Sequence, residues 1–350
     1  MEGGTNPSLK ILGIETSCDE TSAALVEDGT QILSNIVATQ YEFHQDYAGV
    51  VPEIASRRHH EVINYVIEEA LKRAGLSFSD VDAVAVTAYP GLIGSLLIGV
   101  LVAKTLSFSL NVPLIGVNHI EAHLYSVHFN NHVQYPILGI IVSGGHTLAV
   151  LSRDIGHYEI LGSTLDDAVG EAFDKVSKHL NLGYPGGPAI EKAAKEGDEK
   201  AFDFPRALLD RREDRYSFSY SGLKNAVINQ RKRFLQEGFE ETVENIAASF
   251  QAAATDVLMT KARWMSSDLG IDRVALAGGV SNNTRLRQLF TNEPSFVTYL
   301  PERSLTQDNG AMIAGLAYHR YRQGHVSDLD LEPQSRLGGI VKGKRKKHGN

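Results

Sequence analysis

The chain of 350 residues is long enough for one large domain or two of ordinary size, and no polar low-complexity linker divides it into independent pieces. Its 43% hydrophobic and 22% charged residues exclude general disorder, while a formal net charge of −8 argues against a general nucleic-acid coat. The single cysteine, Cys18, excludes an internal disulfide. The start MEGGTNPSLK lacks the basic and apolar regions of a signal peptide. The longest apolar run, Gly91 to Val102, stops before Lys104 and is too short to cross a bilayer. The expectation is a cytoplasmic protein with no membrane partner, in which that run is a buried helix.

In chain order, strands are expected at Lys10 to Glu15 and Ser22 to Glu27, joined by the polar turn TSCDET as a hairpin. A helical pattern follows from His60 to Ala74, then a buried strand at Val81 to Thr87 and an apolar helix from Leu92 to Leu110. Next come a strand at Pro113 to Val117 and a helix beginning at Asn118, a good N-cap residue. A second hairpin is expected from Pro136 to Val142 and Thr147 to Ser152 around SGGH. GIETSCDETSAALV and GIIVSGGHTLAVL share one design, which points to a duplicated fold. The second half is richer in helix: Leu165 to Leu180, Pro188 to Lys195, Ser221 to Arg233 and Thr242 to Leu269. It closes with strand Arg273 to Leu276, the turn AGGVSNN, helix Thr284 to Asn292, strand Ser295 to Tyr299 and helix Asn309 to Arg322. Alternation of strands and helices implies a layered α/β arrangement.

The turns carry the chemistry. Gly144 and Gly145 follow a buried strand, where glycine lets backbone N–H groups approach an anion; Gly278 and Gly279 sit where a strand feeds a helix N-terminus. With TSCDET these make three phosphate-sized loops, which suggest a nucleotide held between two lobes. A fourth turn, YPGGP at Tyr184 to Pro188, leaves room for a flat ligand, and Asp174 could accept hydrogen bonds from ribose hydroxyls. Each turn also has a plain reading as a tight connection or a helix C-cap.

NHIEAH, residues 118–123, places His119 and His123 on one helix face, where both can reach one ion. Glu121 lies about 200° around the helix from either ring at ~100° per residue and should point away. A zinc peptidase has its glutamate directly after the first histidine, and here Ile120 occupies that place. A surface helix is the competing reading. Asp308, just before the last helix, is a candidate third ligand, with helix capping as its alternative; two imidazoles and a carboxylate suit open-site Fe(II) or Zn(II). Basic residues concentrate in two places. Arg206 to Arg233 holds eight Lys/Arg against three Asp/Glu, and Lys342 to Lys347 is a cationic tail. Both are candidates for a local nucleic-acid patch or simply solvated surface.

The stretches GIETSCDETSAALV, VVPEIASRRH, NHIEAH, VSGGHT, DDAVGEAFDKVSKHL, YPGGP, SFSYSGLKNAV, AGGVSNN and DNGAMIAG, in that order, closely resemble the TsaD family. These are tRNA adenosine threonylcarbamoyltransferases, formerly labelled Gcp or O-sialoglycoprotein endopeptidases; the resemblance runs from about Lys10 to about Tyr321, and VVPEIASRRH looks like the bacterial branch. It implies a duplicated actin-like, Hsp70-like and sugar-kinase-like α/β fold, with two lobes around a nucleotide cleft. Lobe I would span 9–133, completed by the C-terminal helix 309–324; lobe II would span 134–308, followed by a flexible basic tail at 335–350. It implies one divalent metal ion per subunit, Fe(II) or Zn(II), on His119, His123 and Asp308. Substrate-binding positions match Ile141, Val142, Ser143, Gly144, Gly145, Asp174, Gly187 and Asn283.

The implied reaction moves the threonylcarbamoyl group of threonylcarbamoyl-AMP to the exocyclic amine of adenosine 37 in tRNAs reading codons that begin with A, forming t6A. A TsaB-like paralogue and a TsaE-like ATPase are the implied partners. Some group should take the amine's proton; His146 is near the SGGH turn, but no catalytic residue is assigned. The alternatives are a nucleotide-binding scaffold or chaperone of the same fold, a metallopeptidase, and a sugar-kinase-like phosphotransferase.

Overall fold

The computed structural model describes residues 8–44, 47, 49–209, 214–237 and 242–336. The described residues divide into two compact units, one formed by those up to Asn130 together with those from Gln307 onward, the other by those within Asn131–Thr306.

The first unit contains β1 (Lys10–Glu15), β2 (Glu20–Glu27), β3 (Gln31–Thr39), α1 (Tyr41–His44), α2 (Pro52–Ala74), β4 (Ala83–Tyr89), α3 (Ile93–Leu110), β5 (Leu114–Asn118) and α4 (His119–Tyr125). The second contains β6 (Ile137–Val142), β7 (Thr147–Asp154), β8 (His157–Ser163), α5 (Val169–His179), α6 (Gly186–Ala194), α7 (Ser221–Glu237), α8 (Val243–Leu269), β9 (Arg273–Ala277), α9 (Thr284–Thr291) and β10 (Val297–Tyr299). The last helix, α10 (Gly310–Arg322), returns to the first unit.

Both sheets have one topology. The first runs β3-β2-β1-β4-β5, with antiparallel pairs β1/β2 and β2/β3 and parallel pairs β1/β4 and β4/β5. The second, taken from its other end, runs β8-β7-β6-β9-β10 with the same alternation of antiparallel and parallel pairs. The similarity of the two hairpin sequences therefore extends to whole sheets. Parallel neighbours bring the C-terminal ends of β1, β4 and β5 to one sheet edge, where an α/β fold places its ligands.

β1 is buried because helices cover both faces of its sheet. Leu12 and Ile14 pack with Ile63, Val66 and Ile67 of α2 and Val100 of α3. Gly13, between them, faces α10: a Cβ built on it would stand 2.3 Å from the Gly310 carbonyl oxygen and 2.6 Å from the Ala314 nitrogen. Helix and strand approach so closely because Gly13 and Gly310 carry no side chain and Ala314 only a methyl.

α2 begins at Pro52, eight residues before the helix expected from His60. Proline is suited to the first helical turn, where its missing N–H costs nothing. Gly75 in the left-handed region (φ 67°) ends α2. β3 and β8 have no counterpart in the sequence reading. Both are edge strands, and their mixed burial gives no clean alternation.

α3 differs from the buried helix expected of its apolar run. Leu96, Gly99, Val100 and Ala103 are buried, but Ile93, Leu97, Leu101 and Phe108 are 54%, 53%, 59% and 75% exposed. By length and composition alone α3 could cross a membrane, yet one of its faces packs on β4 and α2.

α8 is the spine of the second unit, and its Phe250 meets Phe173 of α5 edge to face at 5.0 Å. Near its C-terminal half the buried Lys261 Nζ donates to the carbonyls of Leu208 (3.0 Å), Asp214 (3.4 Å) and Arg215 (3.1 Å). Burial lowers this ammonium to about 8, with Asp214 opposing. Unfolded lysine titrates near 10.4. Between those values the unfolded chain holds a proton that the folded one has released, so stability should rise with pH from about 8 to about 10.4. The gain should be about 2 kcal/mol between urea unfolding at pH 7.5 and at pH 10, and Lys261→Met should lack it.

Candidate metal centre

Asn118 ends β5 and caps α4, its side-chain oxygen accepting from the N–H of Ile120 (2.9 Å) and Glu121 (3.4 Å). All seven residues of α4 are buried, so this is not a surface helix. The cap fixes where the helix begins, and the four-residue spacing then brings the His119 and His123 rings to 4.5 Å, edge on. Glu121 does point elsewhere. It is buried and ion-paired with Arg320 of α10 at 3.8 Å.

Asp308 meets both rings: its Oδ1 is 3.0 Å from His123 Nε2 and 3.5 Å from His119 Nε2. The N-cap residue of α10 is Asn309, which accepts from the Met312 N–H. The Gly310 N–H donates to Ser22 Oγ at 2.8 Å, pinning the start of α10 to β2. Candidate ligand atoms of His119, His123 and Asp308 all lie within 4.8 Å of one another.

The chemistry of this donor set fits a divalent transition ion, with two borderline imidazoles, one hard carboxylate and coordination positions left over. His123 Nδ1 is buried without a hydrogen-bond partner among the described residues. Burial alone would favour a neutral His119 ring. The Asp308 and Glu15 carboxylates overcome that and push it up to about 9, an environment short of positive charge.

Two more acids belong to this neighbourhood. Asp19 and Glu20, in the TSCDET turn, are both buried. Burial raises both; Glu20 is pushed well up, by Asp19 and Asp308 as well. The loop expected from its size to cradle an anion therefore carries two buried carboxyl groups, and burial favours their neutral form. The acids were visible in the sequence, but their burial was not. The turn is also clamped: His59 contacts the Cys18 carbonyl through Nε2 (2.9 Å) and Thr21 Oγ1 through Nδ1 (2.8 Å).

In the second unit, β6 delivers Ile141, Val142 and Ser143, all buried, to the SGGH turn. Ser143 donates its N–H to the His146 carbonyl (2.8 Å), and its Oγ accepts from the His146 N–H (3.1 Å). Gly170, which the sequence did not single out, lets α5 approach this turn; a Cβ there would lie 2.5 Å from the Ser143 carbonyl oxygen. Asp174, one turn further along α5, accepts from the Gly186 N–H at 2.7 Å and so sits beside Gly187. Cβ atoms built on Gly144, Gly145, Gly187 or Gly279 would meet nothing within 4 Å, so internal packing does not demand glycine at any of them. Gly278 differs, with φ 88° and a Cβ position 2.4 Å from the Val142 carbonyl oxygen. Asn283 is spoken for: it caps α9 through the Leu286 N–H and donates to Gln251 Oε1 at 2.7 Å.

The basic segment is less available than its charge count suggests. Arg206 pairs with Asp256, Arg215 with Asp268, and Lys224 with Asp167. Arg211 and Arg212, like the cationic tail at Lys342 to Lys347, lie outside the described residues.

A family profile for tRNA N6-adenosine threonylcarbamoyltransferase matches residues 31–315. The curated tRNA N6-adenosine threonylcarbamoyltransferase of Brachyspira hyodysenteriae is 51% identical over 329 residues, covering 94% of this chain and 96% of the relative. That of Treponema denticola is 49% identical over 334 residues, covering 95% and 99%. Among solved structures, the activator of the 2-hydroxyisocaproyl-CoA dehydratase from Clostridium difficile, determined with bound ADPNP, superposes with a TM-score of 0.54 at 15% identity. That match covers 91% of this chain and 99% of the other, and it establishes the duplicated actin-like fold.

Proposed function

Because the chain belongs to the tRNA N6-adenosine threonylcarbamoyltransferase family, whose substrate is tRNA, we propose that His119, His123 and Asp308 hold one divalent cation, Fe(II) or Zn(II), at its acyl-transfer centre. The convergence of these three side chains on one point carries the reading. When bound, such a cation supplies Lewis acidity that orients and polarises oxygens of the acyl group.

The donor in this proposal is threonylcarbamoyl-AMP. The N6 amine of adenosine 37 forms the new bond to the carbamoyl carbon and gives up one proton to water, the bond from that carbon to the phosphate oxygen breaks, and AMP leaves with the electron pair. Ile141, Val142, Ser143, Gly144, Gly145, Asp174, Gly187 and Asn283 are the proposed AMP-holding positions. The support is that Gly144, Gly145 and Gly187 are glycine where packing asks for none, as expected where a ligand must approach backbone N–H groups. Asp174 would accept from ribose hydroxyls. Asn283 would contribute through its position, since its side chain already caps α9. Neither peptidase chemistry nor its water-activating carboxylate finds support: Ile120 is buried where that glutamate would stand, and Glu121 is paired with Arg320.

The test measures t6A in tRNA with purified adenylate donor. His119→Ala should lower the rate at least about 100-fold, the equivalent of about 3 kcal/mol of transition-state stabilisation. A rate within twofold of the parent would remove the cation from the mechanism.

We place the reaction in the cytoplasm, where the tRNA substrate is found, with a TsaB-like paralogue and a small TsaE-like ATPase as partners. The exposed Ile93, Leu97, Leu101 and Phe108 stripe supports a docking role for α3, because an unpartnered apolar helix face marks an interaction surface. Leu97→Glu should weaken paralogue binding at least about 10-fold in titration calorimetry and leave the thermal transition of the isolated chain in place. Undiminished binding would move the interface elsewhere.

A further inference from the structure

Glu15, the last residue of β1, is completely buried, yet it is not one of the three converging ligands. Three donors meet it. Its Oε1 accepts the N–H of Ser17, and its Oε2 accepts both the hydroxyl of Thr87 (2.5 Å) and the Nδ1–H of His119 (3.0 Å). All come from the one sheet edge, Thr87 from β4 and His119 from the helix that follows β5.

We propose that Glu15 is a positioning residue for the metal centre: it holds the His119 proton on Nδ1 and so keeps Nε2, the nitrogen facing Asp308, free to bind a cation. This rests on the reading of His119, His123 and Asp308 as ligands. A carboxylate only accepts, so it dictates which nitrogen carries the proton. The other neighbour of Nδ1, Ser17 Oγ at 3.2 Å, is a hydroxyl that can donate or accept and dictates nothing. A buried carboxylate behind a ligating imidazole also raises its basicity and removes its rotational freedom. His123 has no such support, since its Nδ1 meets no hydrogen-bond partner among the described residues. The two ligand histidines are therefore unequal, with His119 the prepared one.

Glu15→Gln separates this role from simple packing, because glutamine keeps the shape but offers only one accepting oxygen. If its oxygen stays on the Ser17 N–H, its NH2 faces Nδ1 and drives the imidazole proton to Nε2, where the cation should bind. If it turns over, the NH2 opposes a backbone donor that cannot reverse.

The experiment titrates Co2+ into the full chain against a chromophoric chelator, reading both affinity and the ligand-field bands. Glu15→Gln should bind Co2+ about 10- to 100-fold more weakly, with altered bands. Thr87→Val, which removes one of the three donors while leaving the carboxylate, should bind within a few-fold of the parent but with shifted bands. If folded Glu15→Gln binds Co2+ like the parent while His119→Ala does not, the role assigned to Glu15 is wrong. Should Glu15→Gln fail to fold, unchanged bands in Thr87→Val overturn it instead. A parent chain that takes up no Co2+, or a His119→Ala variant that binds it equally well, would sink the ligand reading itself and this inference with it.

Discussion

Replacing Asp308 with alanine is expected to lower t6A formation at least about 100-fold, the equivalent of about 3 kcal/mol, and to lower cation affinity in parallel. The reason is geometric: Asp308 is the only one of the three proposed ligands that arrives from the C-terminal end of the chain, and its Oδ1 faces both imidazoles. The change should leave folding nearly intact, by no more than about 1 kcal/mol in urea unfolding. Asn309, not Asp308, caps α10, and Ser22 pins the helix start independently. Asp308→Asn keeps the volume and removes the charge, so it should retain the fold and still lose cation affinity. Full affinity in Asp308→Ala would show that the two histidines bind without it. Normal affinity with lost activity would make it a substrate contact.

Gly13→Ala is expected to destabilise the first unit by about 3 kcal/mol, and with it to disperse the metal centre. A single methyl would be driven against the Gly310 carbonyl and the Ala314 nitrogen. Both are backbone atoms, so no side chain can swing aside. Relief requires α10 to lift off β1, which carries Asp308 away from His119 and His123. The measurement is a urea midpoint alongside Co2+ affinity. A midpoint within about 0.5 kcal/mol of the parent would show that strand and helix can separate at no cost.

These two positions also mark where sequence reasoning succeeded and where it stopped. The i, i+4 histidines and the Asn118 cap were legible, because a helix converts spacing in sequence directly into a shared face. The two hairpins were legible from their buried runs and polar turns. The edge strands β3 and β8 were not, since a strand half open to solvent carries no regular alternation. α3 misled: apolar composition implies burial, but Ile93, Leu97, Leu101 and Phe108 face outward on this chain.

The chain's order of residues by itself determined which side chains can ligate an ion, which turns leave backbone exposed, and that one supersecondary design occurs twice. Local chemistry sufficed for these, since each depends on neighbours a few residues apart. Only the tertiary structure decided that Asp308 meets histidines nearly two hundred positions earlier, that Glu15 stands behind His119, and that Asp19 and Glu20 are buried. Those outcomes depend on the parallel pairing of β1, β4 and β5 and on α10 closing against Gly13. Burial and charge at such a point are sums over segments that the sequence keeps apart.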